Sequence, residues 1–385
     1  MSGRDVFIVE AVRTPIGRGR EDGALHRVHP VDLLAKTLAG LCSRAGIEKS
    51  QVDDVIAGCV AAIGEQGTNV GRLALLKAGF PIEVPGVQLN RFCGSGQQAI
   101  HFAAQAIASG DMDLVIAGGV ETMSRVPIGS DGDPKLAFAE GFPYRVLHQG
   151  VSAEMLAEKW DIGRRELDEY AASSHCRAAA ADREGWTRRE MLPIETGTNG
   201  DSRIVEADEG IRPNPDLARM LALKPVFKPD GVVTAGNSSQ ISDGAAAVLL
   251  SSSEKADRLG LRKRARVITR VAVGTDPELM LTGPIDASRK ALAKAGLTVD
   301  DIDAFEINEA FASVVLAWAR ELQPPMERVN IQGGAIAHGH PLGATGAVLM
   351  TKLVNILERT GGRYGLQAMC IGFGMGTATI IERVN

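Results

Sequence analysis

Cys93 is the residue of this chain whose position most clearly suggests chemistry. It lies in the run Asn90-Arg91-Phe92-Cys93-Gly94-Ser95-Gly96, directly before a stretch, 97–109, whose apolar positions recur at helical spacing. The unpaired amides and partial positive charge of a helix N-terminus favour a thiolate, the form of cysteine that attacks a carbonyl carbon. A cysteine here can equally be a small packed hydrophobe, so its partners decide between the two interpretations.

Two segments of the C-terminal third carry groups that could complete such a site. The run Gly339-His340-Pro341-Leu342-Gly343 presents an imidazole, and a thiol nucleophile needs an adjacent base to draw off its proton. In an extended segment only one of His338 and His340 would face Cys93, and the sequence favours His340. Cys370 adds a second thiol in a glycine-rich turn. The alternatives are a structural histidine, a packed cysteine and a disulfide between the two thiols.

Two further loops could hold or polarise a substrate. Asn308 follows the strand-like run 304–307, and its amide could hold a water or donate to a developing oxyanion. Asparagine at a strand end is also a common turn residue. The small-residue run 234–239 would let a ligand approach the backbone closely. The sequence contains neither a dinucleotide-binding glycine fingerprint nor a phosphate-binding P-loop.

An internal repeat would bring these residues together. With an offset of about 250 residues, Val52-Asp53-Asp54 is echoed by Val299-Asp300-Asp301, and 93–96 aligns with 343–346 before a second helical run. Strand-like runs alternate with amphipathic stretches along the chain, which is the α/β pattern. The sequence therefore predicts two equivalent α/β halves. Their corresponding helix N-termini would face one another across the joint, where a site is expected.

The residues between about 122 and 241 interrupt the repeat. They contain loops at 127–134, 197–201 and 213–216, helical stretches at 153–159 and 166–183, and a Thr187-Arg-Arg-Glu190 sequence that resembles a capping box. We interpret this segment as an inserted, lid-like subdomain. A purely structural excursion is the alternative.

Composition and charge exclude several classes of protein. A chain of 385 residues is long enough for two or more packed units, and a net charge of -5 without a basic tract argues against binding to nucleic acid or anionic membranes. We expect no membrane span, export signal or peroxisomal address. The five cysteines lack C-x-x-C spacing, so we expect a cytoplasmic protein without a disulfide framework or a metal site.

In combination, these motifs closely resemble those of the thiolases, which make and break the carbon–carbon bond of 3-ketoacyl-CoA. The resemblance extends over essentially the whole chain and is carried by the segments 90–99, 118–124, 234–239, 308–311, 330–346 and 370–376. It implies a five-layer α/β/α/β/α sandwich of two duplicated halves, 1–121 with 242–267 and 268–385. It also implies that the inserted loop domain, 122–241, binds CoA.

The resemblance implies a role for each candidate residue. Cys93 would accept the acyl group, His340 would activate it and donate to the substrate oxygen, and Cys370 would act as acid and base. Asn308 would hold an oxyanion water, and the amides of Cys93 and Gly372 would form a second oxyanion hole. The residues expected to contact CoA are Ser239, His148, Ala310 and Phe311. Coenzyme A would be a substrate, and neither a metal nor another cofactor would be required.

The resemblance predicts a degradative thiolase that uses CoA to cleave a 3-ketoacyl-CoA through an acyl-Cys93 intermediate, giving acetyl-CoA or another short acyl-CoA and a shortened acyl-CoA. The alternatives are formation of acetoacetyl-CoA from two acetyl-CoA and a non-catalytic CoA- or lipid-binding relative. A ketoacyl-carrier-protein synthase would use two histidines, so Cys370 argues against it. Homo-oligomers, usually tetramers built from dimers, are expected, with CoA thioesters as partners and neither nucleic acid nor membrane.

Four residues depart from the usual thiolase pattern. Gln149 occupies the position of a methionine in short-chain biosynthetic members, Phe373 and Met375 interrupt the final glycine run, and His338 replaces a smaller or apolar residue. The run 151–156 instead looks like that of degradative 3-ketoacyl-CoA thiolases. The surroundings of the acyl group are therefore where this chain is expected to differ.

Overall fold

The computed structural model describes residues 4–132, 141–145, 147–197 and 202–384. The strands are β1 (Val6–Arg13), β2 (Gly17–Arg18), β3 (Asp54–Gly58), β4 (Gly86–Leu89), β5 (Leu114–Thr122), β6 (Ile194–Thr196), β7 (Arg203–Val205), β8 (Ser242–Ser252), β9 (Ala265–Gly274), β10 (Ala304–Ile307), β11 (Tyr364–Ile371) and β12 (Met375–Arg383). The helices are α1 (Pro30–Ala45), α2 (Val70–Lys77), α3 (Ser95–Ser109), α4 (Gln149–Lys159), α5 (Arg164–Arg183), α6 (Leu217–Leu221), α7 (Ser253–Leu259), α8 (Gly283–Ala295), α9 (Ala312–Leu322), α10 (Ala335–His338) and α11 (Leu342–Thr360). Residues 133–134 and 198–201 of two predicted loops lie outside the described residues.

The two halves have the same strand topology. In the N-terminal half β3 and β5 are parallel, and β8 pairs antiparallel with both β5 and β1. In the C-terminal half β10 and β11 are parallel, and β12 pairs antiparallel with both β11 and β9. The strands β1 and β9 pair with each other and join the halves into one ten-stranded ladder within the described residues. The predicted duplication is confirmed.

The register of the duplication differs from the predicted one. The carboxylate of Asp53 accepts hydrogen bonds from two backbone N–H groups at the start of β5, at 2.7 and 2.9 Å. The carboxylate of Asp303 accepts the equivalent pair at the start of β11, at 2.7 and 3.0 Å. Asp53 therefore corresponds to Asp303, at an offset of 250, and the predicted match with Asp300 is wrong. The two Val-Asp-Asp runs are alike in sequence but are not structurally equivalent, because the hydrogen bonds of Asp53 match those of Asp303.

The layers follow from which face of each strand packs on which helices. On β1, Ile8 belongs to the apolar cluster that surrounds α3 and α11, whereas Phe7 and Val9 belong to the cluster under α1 and α2. A third cluster packs α8 and α9, together with α4 and α5, against the C-terminal strands. The order is helices, sheet, central helices, sheet, helices. This is the predicted five-layer sandwich.

The N-terminal turns of α3 and α11 meet backbone to backbone at the centre of the molecule. A Cβ atom on Gly96 would lie 2.8 Å from the carbonyl oxygen of Gly343, and one on Gly346 would lie 2.0 Å from the backbone nitrogen of Gln97. Side chains at either glycine would force the helices apart, because backbone cannot give way as a flexible side chain can. The predicted face-to-face arrangement of the two helix ends is confirmed.

The predicted capping box at 187–190 does not form. These residues make turns rather than a helix, and the Glu190 carboxylate accepts a 2.8 Å hydrogen bond from the Arg13 guanidinium in β1. Arg13 also binds both carboxylate oxygens of Asp208, at 2.7 and 3.0 Å. In a buried site, a hydrogen bond from a charged guanidinium stabilises the Glu190 carboxylate more than one from a backbone N–H does. The two carboxylates thus anchor the segment after β5 to β1.

Candidate active site

Cys93 lies in a tight turn that leads into α3. The N–H groups of Gly94 and Ser95 donate to the carbonyl oxygens of Arg91 and Phe92, each at 3.0 Å. Phe92 itself has a φ of 45°, in the left-handed region that costs a non-glycine residue energy. Cys93 is buried and packs in a small apolar cluster with Val60, Met123, Leu342 and Phe92. Such strain next to a buried thiol marks this turn as a candidate functional position.

The Cys93 sulfur lies among hydrogen-bond donors and is nevertheless protonated at neutral pH. The side chain of Gln149 and the backbone N–H groups of Cys93 and Gly372 lie near this sulfur, and each lowers its pKa. Burial outweighs them and raises the pKa of Cys93 to about 11. The helix end therefore does not by itself produce the resting thiolate that its position suggested. A base must take the proton when the thiol reacts.

His340 is held with its proton on one nitrogen and a lone pair on the other. Its Nδ1 lies 2.6 Å from Thr345 Oγ1, which donates its own proton to the Pro341 carbonyl oxygen at 2.9 Å. Thr345 can therefore only accept from the imidazole, which assigns the proton to Nδ1. Burial lowers the pKa of His340 to about 4. The neutral ring thus offers Nε2 as a proton acceptor across the physiological range.

The two histidines of the 338–340 segment have different partners. His338 ends α10 and its Nε2 lies 3.3 Å from Lys352 Nζ, whereas Nε2 of His340 accepts from Asn308 Nδ2 at 3.3 Å. The prediction of an extended segment is wrong: Gly339, with a φ of 112°, makes a sharp change of direction between the two rings. A Cβ there would lie 2.1 Å from Ser242 Oγ, so only glycine fits.

Asn308 and Cys370 lie at the adjacent ends of the parallel strands β10 and β11. The backbone N–H of Asn308 donates to the Ala368 carbonyl oxygen at 3.0 Å, and Asn330 fixes the preceding residue, Ile307, by two 2.8 Å hydrogen bonds. The side-chain oxygen of Asn308 is buried without a hydrogen-bond partner in the described part of the chain. Such an unsatisfied group is costly unless a ligand or water completes it.

Cys370 is fully buried, and burial raises its pKa, as does the nearby Cys93 sulfur when it is ionised. Mutual repulsion of two thiolates means that one thiol of the pair stays protonated while the other reacts. Both cysteines are free thiols, so the disulfide alternative is not observed. The arrangement gives one thiol a role in attack and leaves the other able to donate a proton.

Gly372 lies in the three-residue connection between β11 and β12. The next residue, Phe373, has a φ of 61°, and Gly374 has a φ of 74°, where a Cβ would lie 2.6 Å from the Thr275 carbonyl oxygen. The Phe373 ring lies against that of Phe92, with 5.2 Å between centroids. This pinned turn aims the Gly372 N–H at the Cys93 sulfur. The two rings cover the site beside it.

The four residues predicted to contact CoA lie along one series of contacts, in which Ser239 and His148 reach the surface whereas Ala310 and Phe311 are buried. The Ser239 N–H donates to the Ala310 carbonyl oxygen at 2.9 Å, and the neighbouring Phe311 ring meets Phe227 edge-on at 6.0 Å. Phe227 stacks on His148, with ring centroids 5.0 Å apart. Because Gln149 follows His148 and lies near the Cys93 sulfur, this series of contacts leads toward the nucleophile.

Three residues of this region were missed at the level of sequence. Thr345 fixes the His340 proton, Phe227 joins His148 to Phe311, and Glu121 gathers donors from both halves. The Glu121 carboxylate accepts from Gln66 and from the amides of Val60, Ala61 and Gly343, at 2.8 to 3.1 Å. A buried acidic residue in an apolar strand is a usable signal for Glu121. The sequence contains no comparable signal for Thr345 or Phe227.

The described ranges contain no group of three or more His, Cys, Asp or Glu residues arranged to hold a metal ion. Over the same ranges, no helix is both long and apolar enough to cross a membrane.

Comparison with known proteins agrees with this geometry over the full chain. Residues 6–254 match the model of the thiolase N-terminal domain, and residues 261–383 match that of the thiolase C-terminal domain. The chain is 49% identical to steroid 3-ketoacyl-CoA thiolase FadA6 of Mycobacterium tuberculosis, over 99% of this chain and 94% of that protein. It is 43% identical to 3-ketoacyl-CoA thiolase of Vibrio parahaemolyticus, over 99% of this chain and 98% of that protein.

The solved structures include a similar fold at the same coverage. The crystal structure of the acetyl-CoA acetyltransferase of Bacillus anthracis superimposes with a TM-score of 0.93 and 37% sequence identity, covering 100% of both chains. Together with the two domain matches, this likeness leaves one assignment. The chain belongs to the thiolase family.

Proposed function

We propose that this chain cleaves a 3-ketoacyl-CoA with CoA, releasing acetyl-CoA and a shortened acyl-CoA. The observation that carries the proposal is the pair of neighbouring buried thiols, Cys93 and Cys370, together with a neutral imidazole, His340, whose Nε2 keeps a lone pair that can take a proton in place of the Asn308 hydrogen bond. One thiol can carry an acyl group while the other moves protons. The curated relatives named above are 3-ketoacyl-CoA thiolases, which supports the same reaction.

The first step forms an acyl-enzyme. His340 Nε2 takes the Cys93 proton as the sulfur attacks the 3-keto carbon of the substrate. Negative charge develops on the keto oxygen, and hydrogen-bond donors directed at such an oxygen each contribute about 3 kcal/mol. We assign this role to the amides of Cys93 and Gly372, which lie at the Cys93 sulfur, and we assign the pair formed by His340 and Asn308, acting with a water on Asn308, to the thioester oxygen of the enolate that forms next. The bond between C2 and C3 then breaks, and its electron pair moves into the enolate of the acetyl-CoA fragment.

The second step uses the other thiol. Cys370 donates its proton to C2 of the enolate, and acetyl-CoA leaves. The resulting Cys370 thiolate accepts the proton of an incoming CoA thiol, which attacks the acyl-Cys93 carbonyl. The amides of Cys93 and Gly372 stabilise the second oxyanion. Cys93 leaves as a thiolate and recovers its proton from His340, which restores both thiols.

The series of contacts formed by Ser239, Ala310, Phe311 and His148 is the proposed path of the CoA pantetheine arm. It consists of one stacked and one edge-on aromatic contact and a small-residue loop, and it leads through Gln149 toward the Cys93 sulfur. We propose that residues 122–241 form the inserted CoA-binding domain between the halves 1–121 with 242–267 and 268–385. CoA is a substrate in this scheme, and no further cofactor takes part in it.

We also propose a homo-oligomer, a tetramer built from dimers, in the cytoplasm. The strand β4 ends one edge of the ladder and exposes 44% of Val87, while Phe102 on the adjacent α3 exposes 43%. An exposed apolar edge strand is a ready site for pairing with a second copy. All five cysteines lie in the described residues as free thiols, which suits a reducing compartment.

Turnover tests the proposal against its two alternatives. We expect CoA-dependent cleavage of acetoacetyl-CoA and of longer or bulkier 3-ketoacyl-CoA, with the highest kcat/KM on the longer substrates, and loss of all activity in Cys93→Ala. A preference for condensing two acetyl-CoA would favour the biosynthetic alternative, for which the acetyltransferase likeness is the supporting observation. Binding of CoA thioesters without turnover of any of them would favour the non-catalytic alternative and contradict the proposal.

A further inference from the structure

A buried cluster of charge lies behind the loop that carries His340. Lys352 lies in the middle of α11, Glu306 lies in β10, and His338 ends α10; none of the three is more than 3% exposed. The reaction scheme above uses none of them. Burying an ammonium group is costly unless every one of its donors is paired, so the cluster calls for a reason.

Lys352 has one acceptor for each of its three N–H groups. Its Nζ lies 3.1 Å from Glu306 Oε2 and 3.3 Å from His338 Nε2, and it also donates to the Gly333 carbonyl oxygen. An ammonium has three donors and no acceptor, so His338 Nε2 must offer its lone pair. Lys352 thereby assigns the His338 proton to Nδ1.

The proton on His338 Nδ1 points to the backbone that turns toward His340. Nδ1 lies 3.3 Å from the carbonyl oxygen of Gly339, the glycine whose φ of 112° makes the change of direction. Burial and the charge of Lys352 both lower the pKa of His338 well below its usual value, so the ring stays neutral. A neutral ring in this tautomer is the form that can hold the carbonyl.

The cluster contacts the two chain segments that carry His340 and Asn308, the proposed oxyanion pair. Glu306 in β10 precedes Asn308 by two residues, and His338 precedes His340 by two residues. Lys352 contacts Glu306 and His338 at once, so a single ammonium group connects the two chain segments whose side chains meet at 3.3 Å. A shift of about 1 Å between catalytic groups can cost about 10²-fold in rate.

Other charged groups lie close enough to influence the cluster. Arg13 and His175 lower the pKa of His338, while Glu309 and Glu190 raise that of Glu306, whose pKa burial brings to about 7. Lys352 opposes this rise. Glu306 is therefore the member of the cluster most sensitive to pH, and the tests below are made at one fixed pH wherever kcat is compared.

We propose that Lys352 and His338 are positioning residues that hold the His340 base in register with Asn308. The inference rests on the proposed function. His338 is also a position where this chain departs from the usual thiolase pattern, so the device distinguishes this chain from relatives with an apolar residue there. The imidazole acts only through Gly339 and does not touch the reacting atoms.

Matched substitutions at residue 338 test the proposal without removing a charge. In His338→Gln the side-chain oxygen can still accept a hydrogen bond from Lys352. In His338→Leu the side chain has no acceptor, so one N–H of Lys352 loses its partner. The control is Thr351→Val, which alters a buried side chain adjacent to Lys352 whose hydroxyl donates to the Ala347 carbonyl oxygen within its own helix. All three variants are compared as folded full-length chains by circular dichroism, at a temperature below the melting transition of each.

We expect kcat of His338→Leu to fall about tenfold with KM nearly unchanged, because the binding surface is untouched while the base shifts. His338→Gln and Thr351→Val should stay within about threefold of the wild type. The rate of Cys93 alkylation by iodoacetamide at pH 7 should fall in parallel with kcat, since it also needs His340 as the base.

Equal kcat values in the leucine and glutamine variants would overturn the proposal. So would a loss in His338→Leu that appears in KM alone, or a normal alkylation rate despite a lower kcat. Failure of the proposed function is distinguishable, because it would leave the wild type without turnover while the alkylation rates still rank the variants.

Discussion

The two halves of the molecule share a fold and use its equivalent corner in opposite ways. Before α3, the corner carries the Cys93 side chain. At the equivalent residue of α11, Gly343, a Cβ would lie 2.6 Å from the Gly58 carbonyl oxygen and 2.7 Å from the Cys59 Cα. The N-terminal half places a nucleophile at this corner, and the C-terminal half removes the side chain so that the two halves can close on each other.

A second contrast lies after the central strand of each half. The strand β5 is separated from β8 by residues 123–241, whereas only Gly372, Phe373 and Gly374 separate β11 from β12. The short connection holds one amide rigidly against the Cys93 sulfur. The long one supplies Gln149 and His148 from α4. Duplication thus provided one scaffold, and divergence of its connections divided the proposed chemistry from the proposed substrate binding.

Removing the thiol of the C-terminal half should separate bond cleavage from thiol reactivity. We expect Cys370→Ala to lower kcat for cleavage of acetoacetyl-CoA about 10³-fold, because no group remains to protonate the enolate. Alkylation of Cys93 should persist near the wild-type rate, because Cys370 stays protonated while Cys93 ionises and is not the base that takes its proton. The exposed Cys176→Ser variant is the control. A wild-type kcat in Cys370→Ala would contradict a role for the second thiol in the mechanism.

Removing the base should leave a cysteine that only high pH activates. In His340→Asn, we expect Cys93 alkylation at pH 7 to be about 100-fold slower than in the wild type. The alkylation rate should then rise as the pH approaches about 11. Burial raises the pKa of the Cys93 thiol to about 11, and without His340 the thiol must lose its proton to solvent. The measurement is the pH dependence of iodoacetamide labelling, located by peptide mapping. A profile that matches the wild type would contradict the assigned role of His340.

The smallest expected effect concerns the corner itself. Gly343→Ala should lower the free energy of unfolding by about 1–3 kcal/mol, because its Cβ would meet backbone from Gly58 and Cys59. A matched glycine is Gly274 at the end of β9, where a Cβ would have no neighbour within 4 Å. Gly274→Ala should stay within about 0.5 kcal/mol by chemical denaturation. Equal stability of the two variants would mean that the halves do not need this contact.

Both helix ends could be predicted from the sequence because their signals are local, whereas the five-layer fold was implied by the resemblance to the thiolases. Helical spacing located α3, α4 and α5, although each begins two to four residues earlier than the apolar pattern does. The difference at α4 arises because His148 caps the helix through its ring nitrogen, a contact that periodicity cannot show. Element boundaries set by such polar caps are invisible to an apolar pattern.

The electrostatic details of the site could not be predicted in the same way. The helix end suggested a thiolate at Cys93, but its depth of burial, which raises the pKa, depends on packing from Met123 and Leu342 far along the chain. Likewise, His340 contacts Asn308 whereas His338 contacts Lys352, but the two rings are separated by a glycine turn rather than by strand alternation. Long-range packing decides both.

The acyl-enzyme itself provides the most direct test of the account. The enzyme is mixed with acetoacetyl-CoA without free CoA, quenched with acid within milliseconds, digested and mapped by mass spectrometry. We expect an acyl group on the peptide that contains Cys93, its disappearance when CoA is added before the quench, and its absence in Cys93→Ser. Cleavage that proceeds at the wild-type rate with an acyl group on Cys370, or on no residue, would contradict the central claim that Cys93 carries the substrate.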